Sequence, residues 1–172
     1  MKRMIALLLC AACLLMGCAG QNPVADTTGQ HQQEESNGLV FSTTDLQGNV
    51  WTEQNFAEYK LVMLNFWAPW CGPCVGEMPD LERLYQAYKD KGLLIVGVYG
   101  SDGMPDNPDI GTTIQSTGVT YPNLAYTGEF APMMSDYLPT TVFLYGTGTL
   151  CGEKIIGAHS YDEWVQIIEA LL

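Results

Sequence analysis

Basic residues are scarce in this chain of 172 residues: seven lysines and arginines stand against nineteen aspartates and glutamates, for a formal net charge of −12. A surface of that sign repels phosphate backbones and anionic headgroups, which excludes nucleic acid as a partner. Long apolar runs are also missing. The stretch from Met4 to Met16 is too short for a bilayer-spanning stop-transfer helix. No segment repeats. Cysteine is too sparse for a disulfide scaffold, and the chain is long enough for one domain with its own core plus a short extension.

The extension is at the N-terminus. Lys2 and Arg3 precede the apolar stretch, which closes on Leu15-Met16-Gly17-Cys18. Basic start, apolar run and terminal Gly-Cys together read as a bacterial lipoprotein signal, residues 1–17, with Cys18 lipidated and anchoring the mature chain to the cell membrane on its extracytoplasmic side. Residues 18–38 are rich in Gln, Asn, Thr, Gly and Ser and read as a flexible tether. Residues 39–172 form the folded domain. Cys10 and Cys13 leave with the leader, so Cys71, Cys74 and Cys151 remain. An exported Cys-x-x-Cys pair is a staple, a metal site or a redox centre. One pair staples little in a domain of this size.

The local pattern places the pair. Leu61 to Phe66 is an apolar run expected to be a buried central strand, and Val75 to Lys91 reads as a helix stopped by Gly92. Trp70-Cys71-Gly72-Pro73-Cys74 therefore lies where a strand ends and a helix begins. There the free amides and dipole favour a thiolate on Cys71, the form that attacks disulfides. Around this unit, Val40–Thr43 and Val50–Trp51 predict a hairpin, Thr52 a helix cap, Leu93–Tyr99 a second buried strand and Ile110–Thr117 a short helix. Tyr121–Leu124 reads as extended and Phe130–Tyr137 as a short helix. Thr140–Tyr145 and Leu150–Ile156 form a second hairpin, and Ser160–Glu163 is a capping box opening the last helix. The expected fold is α/β: a central mixed sheet with helices on both faces and an N-terminal hairpin extension.

A Cys-x-x-Cys opening the helix of a βαβ pattern is thioredoxin-like, and the string from Asn65 to Cys74 resembles the thioredoxin active-site signature. Leu138-Pro139-Thr140-Thr141 resembles the segment that carries that fold's cis-proline. Cys74-Val75-Gly76-Glu77-Met78-Pro79 resembles the pattern of TlpA/ResA-type redoxins, which are membrane-tethered and extracytoplasmic. Tyr121-Pro122, Gly146-Thr147-Gly148 and Gly157 fall where that family has an insert, a hairpin turn and a late glycine.

The resemblance implies that Cys71 is the exposed nucleophile and Cys74 the buried resolving thiol. It also implies that Pro139 is cis, with Leu138 before it turned toward an extended substrate. Asn65 stands where thioredoxin carries a buried aspartate; an amide cannot titrate, so Glu77, three residues after Cys74, is the expected proton carrier. Trp70, Pro73 and Leu138 are expected along the substrate groove, with residues 101–109 and Met133-Met134 at its border. Trp67 is expected in the core.

The family implies a protein-disulfide reductase with no cofactor beyond its cysteine pair, fed by a CcdA-type membrane thiol carrier. Apocytochrome c, spore-envelope proteins or a methionine sulfoxide reductase are its substrates in the family, and a monomer is expected. The competing readings are an oxidant of the same fold, and a metal site built from Cys71, Cys74, Cys151 and His159.

Overall fold

The computed structural model describes residues 38–172. The leader, Cys18 and the tether up to residue 37 lie outside the described residues. No described helix is long and apolar enough to cross a membrane.

The chain opens with a hairpin, β1 (Ser42–Thr44) against β2 (Val50–Thr52). Asp45 organises its turn, accepting the backbone N–H groups of Gln47 and Asn49, each at 2.9 Å. Thr52 caps a 3-10 turn, Glu53–Phe56, with the Asn55 side chain reciprocating. β3 (Leu61–Trp67) and β4 (Leu93–Tyr99) are buried at every position. Their unbroken apolar sequences are those of strands covered on both faces. Between them runs α1 (Gly72–Tyr88), continued by a 3-10 turn, Lys89–Lys91, and stopped by Gly92 at φ 104°. α2 (Asp109–Thr117) and β5 (Asn123–Ala125) follow. The second hairpin is β6 (Thr140–Tyr145) and β7 (Leu150–Ile156), and the capping box of Ser160 and Glu163 opens α3 (Tyr161–Leu171).

The five-stranded sheet has the order β5-β4-β3-β6-β7, with β3, β4 and β5 parallel and β6 and β7 antiparallel to their neighbours. Alternation along β3 divides the core in two. Leu61, Met63 and Trp67 pack with Met78, Leu81 and Leu84 of α1 and Trp164 and Ile168 of α3. Val62, Leu64 and Phe66 point the other way, against Phe41, Phe56 and Phe130. The α-helices thus cover one face, while the helical cover of the other consists of the 3-10 turns Glu53–Phe56 and Gly128–Met133.

Two elements differ from expectation. α1 begins three residues early, because Pro73 suits a first helical turn, where its missing N–H has no partner to lose. The helix expected over Phe130–Tyr137 is instead the 3-10 turn ending at Met133. Pro132 interrupts its hydrogen bonding, and Met134 is already extended (φ −80°, ψ 167°) on the way to Pro139.

Candidate active site

The chain leaves the sheet at Trp67 and turns through Ala68, whose carbonyl accepts the Cys71 N–H at 3.0 Å. Cys71 is then the N-cap of α1. It is joined to Cys74 by a disulfide across the first helical turn. The Cys74 N–H donates to the Cys71 sulfur at 3.3 Å. A helix-terminal amide therefore faces the sulfur that would carry a thiolate charge. Cys71 is 5 % exposed and Cys74 fully buried. Cys71 is more covered than expected: it belongs to the apolar cluster on the α-helical face, against which half-buried Leu138 also packs.

The Leu138–Pro139 peptide bond is cis. Register explains where it lies. Thr140 pairs with Phe66 in β3, so Pro139 is next to the strand end from which the Cys71–Cys74 turn departs. The Pro139 carbonyl accepts the Gly157 N–H at 2.9 Å, which ties the site to the segment following β7.

Behind Cys74, Glu77 is 4 % exposed. Its Oε1 accepts from the Asn65 side-chain amide at 2.9 Å, and its Oε2 accepts the His159 backbone N–H at 3.2 Å. Burial dominates and pushes this carboxyl up to about 7, against the opposing pull of the bonds from Asn65 and His159. The Trp164 indole N–H pulls in the same direction as those bonds from nearby, although it does not reach hydrogen-bond geometry. Asn65 also donates to Thr141 Oγ1 at 3.1 Å. His159 and Trp164 thus frame Glu77 from late in the chain, and Thr141 holds its partner Asn65. Nothing in their spacing signals this, since Thr141 is 76 residues from Asn65 and His159 is 82 from Glu77.

The remaining candidates separate. Trp70 is 61 % exposed, with its indole N–H bonded to the Asp102 carboxylate. Trp67 is wholly buried and donates to Asn123 Oδ1 at 3.0 Å. Gly97 makes room for that bond, because a Cβ there would come within 2.1 Å of Asn123 Oδ1. Trp70 and Leu138 share a cleft of about 380 Å³ with Ser101, Asp102, Met134, Ser135 and Asp136. Pro73 is exposed but does not line that cleft, and Met133 is core. Cys151 is a free, buried thiol on β7. Neither it nor His159 joins the cysteine pair in a metal-binding cluster among the described residues.

The fold, with a cis-proline at the strand end beside a helix-capping disulfide, defines a thioredoxin-type thiol–disulfide oxidoreductase. Residues 38–136 match the AhpC/TSA family, and the chain belongs to it. It is 32 % identical over 129 residues to the thiol-disulfide oxidoreductase ResA of Bacillus thuringiensis, covering 72 % of this chain and 69 % of that protein. The thioredoxin-like protein YneN of Bacillus subtilis is 36 % identical over 122 residues, 69 % of each chain. ResA of Oceanobacillus iheyensis is 61 % identical over 65 residues, but that match spans only 28 % of its length. Among solved structures, DsbF of MTB, in mixed oxidised and reduced forms, superposes with a TM-score of 0.67 at 26 % identity, covering 80 % of this chain and 98 % of that one. StoA of Bacillus subtilis shares the fold, with a TM-score of 0.61 at 22 % identity over 74 % of this chain and 94 % of that one.

Proposed function

We propose that this oxidoreductase works on the extracytoplasmic side of the cell membrane, anchored through lipid on Cys18, and reduces disulfides of envelope proteins. The observation that carries the reading is the pairing of a helix-capping sulfur at Cys71 with a buried carboxyl that titrates near neutrality behind Cys74. In the proposed cycle the Cys71 thiolate attacks a substrate disulfide. One substrate sulfur leaves as a thiol, and a mixed disulfide forms. Glu77 accepts the proton of the Cys74 thiol, and Cys74 attacks the Cys71 sulfur. The second substrate thiol is released, and the enzyme's disulfide has taken up the bond that the substrate lost. Two electrons then return from a membrane thiol carrier of the CcdA kind. Apocytochrome c and methionine sulfoxide reductases are candidate substrates. No cofactor beyond the cysteine pair enters the cycle, and the chain acts as a monomer. Leu138, before the cis-proline, presents its backbone to an extended substrate, and Trp70 flanks it.

The test is a Cys74→Ser variant expressed in its own cell envelope. It should accumulate mixed disulfides through Cys71 with exported proteins, and these should dissolve on treatment with dithiothreitol. A variant that captures no exported protein would contradict the reading.

A further inference from the structure

The cleft beside the disulfide has a charge that the exchange chemistry does not use. Asp102 and Asp136 line it, together with the Trp70 ring and the side chain of Leu138, and no lysine or arginine does. The neighbouring segment, residues 101–109, adds Asp106 and Asp109 and no cation. The described residues hold five lysines and arginines. Lys60, Lys89 and Lys91 precede β3 and β4, at the opposite end of the sheet from the disulfide. Arg83 is paired with Asp80 at 2.9 Å, and Lys154 Nζ donates to the Met134 carbonyl at 2.7 Å. Lys154 thus borders the cleft at Met134, but its single ammonium stands against the two carboxylates of Asp102 and Asp136, so the mouth keeps a net negative charge and concentrates cationic ligands.

The two carboxylates are differently held. Asp102 is fixed by the Trp70 indole N–H and by the Met104 backbone N–H at 3.1 Å, so carboxylate and ring form one rigid corner. Asp136 is exposed and has no hydrogen-bond partner among the described residues. Ser101 Oγ, buried and unpaired, lines the same cleft. An exposed indole face next to a carboxylate suits a planar cation, which stacks on the ring while its N–H groups reach the oxygens. Asp136, lining the same cleft, adds a second carboxylate to that preference.

We propose that this cleft selects extended protein segments carrying a basic residue, arginine above all, close in sequence to the target cysteine. The guanidinium rests on Trp70 between Asp102 and Asp136 while the neighbouring sulfur meets Cys71. This deepens the reductase reading given above and rests on it.

The test uses the full-length chain in nonionic detergent, reduced with dithiothreitol and freed of it. It is mixed with two peptide disulfides that differ only in arginine or glutamate beside one cysteine. Each turnover converts the enzyme dithiol to its disulfide and the peptide disulfide to two thiols. The arginine peptide should react about tenfold faster at low salt, with the gap closing as salt screens it. Asp136→Lys should abolish or reverse the gap between the two peptides. Rates within twofold for the two peptides, or a gap that survives in Asp136→Lys, would overturn the selectivity and leave the reductase reading standing. Failure to reduce either peptide would overturn both.

Discussion

The two faces of the central sheet use burial for different ends. On the face covered by the 3-10 turns, Phe41, Phe56, Phe66 and Phe130 pack at centroid separations of 4.9–6.1 Å around Val62, Leu64 and Val142. Burial there contributes stability, roughly 1.5–3 kcal/mol for each such large apolar side chain. On the α-helical face the same strand turns Asn65 inward, and Asn65, Glu77, Thr141 and Trp164 share the interior with the disulfide. Among the apolar side chains of that face, the burial of Glu77 costs stability, because it holds a carboxyl away from the water that would ionise it. Adjacent residues of β3, Asn65 and Phe66, are equally buried and serve opposite purposes.

The largest expected effect lies on the face that holds the disulfide. Cys71→Ser should abolish turnover while leaving the fold intact, as read by insulin-type disulfide reduction alongside circular dichroism. The other face should behave in reverse. Phe66→Ala should lower unfolding free energy by about 3–5 kcal/mol, measured by urea titration, and leave the exchange rate of the folded protein nearly unchanged. Loss of exchange at full foldedness in that variant would erase the distinction between the faces.

Glu77→Gln sharpens the comparison, because rate and stability should move in opposite directions. The rate of mixed-disulfide resolution at neutral pH should fall by about 100-fold, and its inflection near pH 7 should vanish. Stability should respond with the other sign. Glu77 ionises near 4.5 when unexposed to the fold and near 7 within it. Between those values the folded chain binds the extra proton, so wild-type stability falls as pH rises through that window and stays low above it. At about 1.4 kcal/mol per pKa unit, the glutamine variant escapes a loss on the order of 3 kcal/mol. Its urea midpoint should therefore exceed that of wild type at pH 8 and approach it at pH 4. The smallest effect expected is for Trp67→Phe, which orphans Asn123 Oδ1 and should cost about 1–2 kcal/mol with little change in rate.

The face that holds the disulfide also shows where sequence reasoning reaches and where it stops. The apolar runs at Leu61–Phe66 and Leu93–Tyr99, the glycine stop at Gly92 and the Ser160–Glu163 box are local signals, and each element lies where its signal falls. The cis bond at Pro139 and the disulfide were legible through resemblance to the thioredoxin signature. The burial of Cys71 was not, since it depends on Leu138 and the helices packing from far along the chain. The Asn65–Thr141 bond and the His159 N–H to Glu77 depend on sheet register and on the chain's return past β7. Asp102 falls in the segment expected at the groove's border and Asp136 in the helix expected over Phe130–Tyr137, and only the fold sets them in one cleft with Trp70.

The direction of electron flow is the central claim, and the reduction potential of the Cys71–Cys74 couple tests it most directly. A value near about −250 mV or lower, in the thioredoxin range, is predicted for an electron donor to other proteins' disulfides. A value near about −120 mV, typical of a strong oxidant, would contradict the account and make the protein one that installs disulfides.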